Sequence, residues 1–92
     1  MINVDLKKRI IELRGDESTL FCEVGVASGV LHKAMAENNP DIPGFADGCF
    51  AEMFKSFTMT DEEVESEFNR IKNERPDIAV IVEDFLKSFE LK

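Results

Sequence analysis

The chain has no tryptophan, no tyrosine, a single histidine (His32), three prolines and two cysteines in 92 residues. Each scarcity excludes a chemistry. His32 is the only imidazole, and Cys22 and Cys49 stand 27 positions apart with no CxxC spacing, so no four-ligand zinc set exists. Two isolated cysteines read as small buried apolar residues in a reducing compartment rather than as a disulfide. His32 next to Lys33 gives no nucleophile, base and orienting acid, so no catalytic residue is assigned and the chain is read as a non-enzyme. The glycines at 25, 29, 44 and 48 fit neither GxGxxG nor GxxxxGK[ST], and Asp61 to Glu67 lacks the DxDxDG pattern of a calcium loop. No cofactor and no metal are therefore expected. No run of about 18 apolar residues is present, which excludes a membrane-spanning helix. The start, MINVDLKKRIIELRGDE, is charged within a few residues and has no apolar signal region, so a cytoplasmic location is expected.

Positive charge is also short: 11 Lys/Arg face 19 Asp/Glu, a net −8. The deficit is uneven. Residues 1–39 hold five cations (Lys7, Lys8, Arg9, Arg14, Lys33) against six carboxylates, a balance of −1; residues 40–92 hold six against thirteen, a balance of −7. Such a surface repels phosphate backbones and attracts basic partners.

What is present is ordinary for a folded protein: 43% hydrophobic and 33% charged residues, with no repeat or Ser/Gly linker. The length suits one domain, with folding burying only about 60–65% of the unfolded surface. Apolar spacing predicts short helices throughout. Ile2, Leu6, Ile10 and Leu13 recur every three or four residues, with Asn3 as a candidate N-cap and Gly15 as the stop. A second helix is expected from about Asp16 to Val24, ended by Gly25 in a left-handed conformation. A third starts near Ser28, carries Val30, Leu31, Ala34 and Met35, and ends at Asn38-Asn39 before Pro40. Asp41 to Gly44 is a loop. Phe45, Phe50, Met53, Phe54 and Phe57 form the stripe of a fourth helix. Thr60-Asp61-Glu62-Glu63 is a capping box opening a fifth, with Val64, Phe68 and Ile71 on one face and its end before Pro76. In the last segment the run Ile78 to Val82 would suit a strand alone. Its stripe continues through Phe85, Leu86 and Phe89, and Glu83 and Lys87 stand i,i+4, so a helix is predicted. The expected fold is all-α, a compact bundle of about five or six short helices with a corner near Gly25. It divides into residues 1–39 and an acidic, Phe-rich 44–92. Eight phenylalanines either fill the core of such short helices or leave one face, on the last helix or on Phe45–Phe57, to meet another chain.

Residues 17–35 carry one motif, centred on Leu20-Phe21-Cys22-Glu23-Val24-Gly25-Val26-Ala27-Ser28-Gly29-Val30-Leu31. This stretch resembles the helix-turn-helix of phage repressor and Cro-like proteins, with Leu20, Gly25, Val26 and Leu31 in register. The resemblance implies a sharp turn at Gly25 and two helices packed near a right angle. It also implies DNA reading by Ser28, Gly29, His32 and Lys33, supported by Lys7, Lys8 and Arg14. Phe21 stands where the family usually has alanine, and Glu17, beside Asp16, where it has a polar phosphate contact. A carboxylate there repels phosphate, and no Arg, Asn or Gln reaches a base.

The leading expectation is therefore a small acidic interaction module that binds a basic protein partner. Its docking face would be formed by Glu62, Glu63, Glu65, Glu67, Glu83, Asp84 and Glu90. In composition the chain resembles small acidic proteins of phages and mobile elements that inhibit host factors. The alternative is a helix-turn-helix transcriptional regulator that binds DNA and forms a homodimer through its C-terminal helices. A third reading is a structural subunit that buries its phenylalanine-rich face in a larger assembly.

Overall fold

In a computed structural model the chain is described over residues 1–89, with side chains through residue 87. It forms a β-hairpin followed by four α-helices: β1 (Ile2–Asp5), β2 (Ile10–Leu13), α1 (Glu17–Asn38), α2 (Phe45–Ser56), α3 (Asp61–Glu74) and α4 (Pro76–Phe89). The chain is thus mostly helical, with fewer helices than the spacing predicts and a two-stranded sheet.

Both departures lie before residue 39. Ile2, Leu6, Ile10 and Leu13 do not share a helix. β1 and β2 pair antiparallel, with Ile2 opposite Leu13 and Val4 opposite Ile11. Alternation puts those four apolar side chains on one face of the sheet. At the turn the Asp5 carboxylate accepts hydrogen bonds from the backbone N–H groups of Lys7 (3.1 Å) and Lys8 (3.0 Å), and Arg9 closes it at φ 56°. This side-chain turn competes directly with a helical backbone. The predicted corner at Gly25 is absent as well: α1 runs unbroken for 22 residues through both Gly25 and Gly29. An interior glycine costs a helix only about 1 kcal/mol, which a long helix tolerates. Its start follows the sequence, with the Asp16 carboxylate capping the Thr19 N–H at 2.8 Å. Its end also follows, at Asn39 before Pro40.

From Pro40 onward, expectation and structure agree. Gly44 takes φ 70° to turn the chain into α2. Thr60 and Glu63 cap α3 reciprocally, and Glu83 pairs with Lys87 at 2.8 Å along α4. The core lies among these three helices: Phe45, Cys49, Ile71, Ile78, Ala79 and Val82 are buried, with Met35, Ile42, Phe68 and Leu86 packed against them. Helices α2 and α4 approach so closely that a Cβ on Gly48 would lie 2.4 Å from the Ile78 methyl. Both cysteines are free thiols; Cys49 is buried as expected, but Cys22 is exposed on α1. No helix among the described residues is long and apolar enough to cross a membrane.

α1 contributes no fully buried residue. The total surface is 7054 Å², against about 5,400 Å² for a folded monomer of 10.4 kDa. The radius of gyration is 14.3 Å, against about 12.3 Å for a compact domain of this length. Residues 1–39 thus form an arm that projects from a small three-helix core.

Candidate interaction surfaces

Two surfaces stand out: the arm and the acidic face of α2 and α3. On the arm the apolar sheet face is open, with Val4, Ile11 and Leu13 at least half exposed. Along α1, Phe21 is 80% exposed, Val30 67% and Leu31 54%, values that belong to residues awaiting cover rather than to a finished core. The hairpin meets α1 at its base, where the terminal amine of Met1 pairs with Glu23 at 2.9 Å.

The acidic face begins where α2 ends and α3 starts. A shallow, wide-open cleft of about 350 Å³ lies between Lys55, Met59, Glu62, Glu63, Ser66 and Glu67. Three of the seven sequence-predicted carboxylates, Glu62, Glu63 and Glu67, therefore meet there. Glu65 lies on α3 outside the cleft, Glu83 and Asp84 lie on α4, and Glu90 falls outside the described residues. The acids are not equivalent. Glu63 is engaged in the α3 cap, and Glu67 is turned inward and bound by both Lys55 and Arg70. Arg70 also holds Glu74 and reaches Glu52 on α2 at 3.2 Å, which ties the two helices together. Asp61, Glu62 and Glu65 face solvent and form no ion pair among the described residues, so their charge is directed outward.

Hydrogen bonds from Arg70 and Lys55 hold the Glu67 carboxyl down at about 2, from an ordinary value of 4.5. A carboxyl depressed in the folded state stabilises the fold fully above about pH 4.5, and this contribution is lost as the pH falls toward about 2. Glu52 is shifted the opposite way, upward, by burial and by the neighbouring Glu67 charge, so its own contribution weakens as the pH rises through its titration. The expected result is a melting temperature that drops on acidification below pH 4.5, measured by circular dichroism. Glu67→Gln should flatten that drop.

The residues expected to read DNA are not gathered. Lys7 and Lys8 sit on the hairpin turn, while Arg14 follows β2 and pairs with Glu12 at 3.4 Å. Ser28, Gly29 and Lys33 lie midway along α1. His32 points back into the molecule, with its Nε2 atom 2.6 Å from an Asp47 oxygen and its ring 5.6 Å from Phe50. That contact opens an aromatic ladder that the sequence analysis did not foresee: Phe50, Phe54, Phe57 and Phe85 follow at centroid spacings of 6.0, 5.8 and 6.3 Å. The ladder spans α2 and α4, both of which the phenylalanine excess had singled out. Its members carry a signal in sequence, since Phe50, Phe54 and Phe57 recur at helical spacing; only the link to Phe85 needed the fold.

Among the described residues no group of three or more His, Cys, Asp or Glu side chains is placed to hold a metal ion. The chain matches no protein-family model, and no curated protein or solved structure is significantly similar to it.

Proposed function

We propose that this protein is a non-catalytic interaction module whose acidic α2–α3 face binds a basic segment of a protein partner. The observation that carries the reading is the α3 start, where Asp61, Glu62 and Glu65 remain unpaired beside a cleft that already contains a Lys55–Glu67 ion pair. Neutralised acids serve the fold; unpaired ones project a field. The cleft also offers the Met59 side chain as an apolar contact, which suits the aliphatic stem of an arginine or lysine whose head reaches Glu62. With −7 on residues 40–92, long-range attraction would speed encounter with a basic partner and would weaken as salt rises.

A short arginine-rich peptide titrated into the protein at low salt tests this by calorimetry. Binding in the micromolar range is expected. Glu62→Lys combined with Glu65→Lys should weaken it about tenfold, since each exposed pair contributes up to about 1 kcal/mol and reversal adds repulsion. Glu62 stands in the first turn of α3, so the reversal should lower the melting temperature by a few degrees without unfolding the protein, which circular dichroism checks. Equal affinity of variant and wild type would remove the assignment of this face.

A further inference from the structure

We infer that the arm is covered by a second copy of this chain, with the two α1 helices packed antiparallel across a two-fold axis. The first support is area. The surface of 7054 Å² exceeds that of a folded monomer by about 1,600 Å². Stable homodimers bury on the order of 1,000 Å² or more per subunit, so a single like-sized interface accounts for the excess.

The second support is pattern. Leu20, Val24, Ala27, Leu31 and Ala34 follow one another at spacings of 4, 3, 4 and 3, the seam that a helix presents to another helix. α2 packs on α1 through His32 and Met35 at its C-terminal end, and leaves Val24 47% and Leu31 54% exposed. The seam is also complementary to itself when reversed. Centred on Ala27, an antiparallel copy sets Leu20 against Ala34, large beside small, and brings Val24 within one position of Leu31, with the two Ala27 residues meeting at the axis. Two-fold interfaces have this self-matching character.

The third support is charge, which also selects the direction. Residues 1–39 carry only −1, so two arms can meet without strong repulsion, whereas two copies of residues 40–92 carry −7 each. Parallel helices would place those acidic units side by side. Antiparallel ones place them at opposite ends of a 22-residue helix, about 33 Å apart by its rise and several screening lengths of about 8 Å at physiological salt. This places the interface on the arm, whereas the alternative regulator reading put dimerisation on the C-terminal helices. None of this depends on the acidic cleft, so the dimer and the basic partner stand or fall separately.

Sedimentation equilibrium of the full chain over the micromolar range tests the inference. The wild type should have twice the mass of the 10.4 kDa chain. Leu31→Asp buries two like charges at the seam and should weaken association about 100-fold or more. Val26→Asp makes the same chemical change on the other side of α1, at a site 69% exposed, and should leave the dimer intact. Circular dichroism of both variants separates lost association from lost folding. Direction is read by oxidative cross-linking in a Cys22→Ser background: Val24→Cys should link to Leu31→Cys when the two proteins are mixed, and not to itself. A monomer at every concentration, a dimer indifferent to Leu31→Asp, or self-linking of Val24→Cys would each overturn the antiparallel dimer.

Discussion

Ile71→Ala is expected to lower stability by about 3 kcal/mol. Ile71 is 3% exposed and lies on the face of α3 turned toward α2 and α4, in contact with a core of only a handful of fully buried side chains. Helices this short cannot close over the space a lost side chain leaves, because their caps fix where each begins. Thr60 and Glu63 lock the start of α3, and Pro76 follows directly after its C-cap at Arg75. Small domains have total stabilities of about 5–10 kcal/mol, so the loss would take a large share of what holds α2, α3 and α4 together. Urea unfolding followed by circular dichroism measures it. A midpoint shift at constant slope is expected, and a cost below about 1 kcal/mol would mean that these helices can repack.

Gly48→Val is the second large effect. It acts by excess rather than loss. A single Cβ at position 48 would stand 2.4 Å from the Ile78 Cδ1 atom, closer than side-chain carbons tolerate. Ile78 is itself 3% exposed, so its methyl can yield only by displacing other core atoms. Gly48→Ala sets that clash against a gain of about 1 kcal/mol from replacing a helical glycine, and the two nearly cancel. Valine adds two further methyl groups and a stiff rotamer, and should cost about 2–3 kcal/mol. Thermal melts of the pair therefore discriminate: alanine close to wild type, valine far below it. Gly25→Ala serves as the contrast. No atom lies within 4 Å of a Cβ built there, so that substitution should raise the melting temperature.

The same contrast between glycines explains which parts of the fold the sequence carried openly. Boundaries made by local chemistry were readable: the Asp16 cap, the Asn39–Pro40 stop, the capping box at Thr60 and the break before Pro76 all lie where their residue types place them. Gly25 misled because glycine marks both a turn and a tolerated interior position, and only the surroundings distinguish the two. The hairpin misled for another reason. Ile2, Leu6, Ile10 and Leu13 satisfy helical spacing, yet Ile2 with Val4 and Ile11 with Leu13 satisfy strand alternation equally well. Asp5, able to hold the turn by accepting from Lys7 and Lys8, decides between them. Of the acidic residues, composition announced the charge but not its division. Whether Glu67 turns inward to Lys55 and Arg70 while Glu62 stays free depends on how α3 lies against α2, which no residue spacing states.

That division is the basis of the functional reading, and amide chemical-shift mapping of the isotope-labelled protein tests it most directly. Titrated with an arginine-rich peptide at low salt, the amides of Met59, Glu62, Glu65 and Ser66 should shift together and return as salt is raised. Shifts confined to the hairpin turn and Lys33, or stronger shifts with duplex DNA than with the peptide, would contradict the account and place binding on the arm instead.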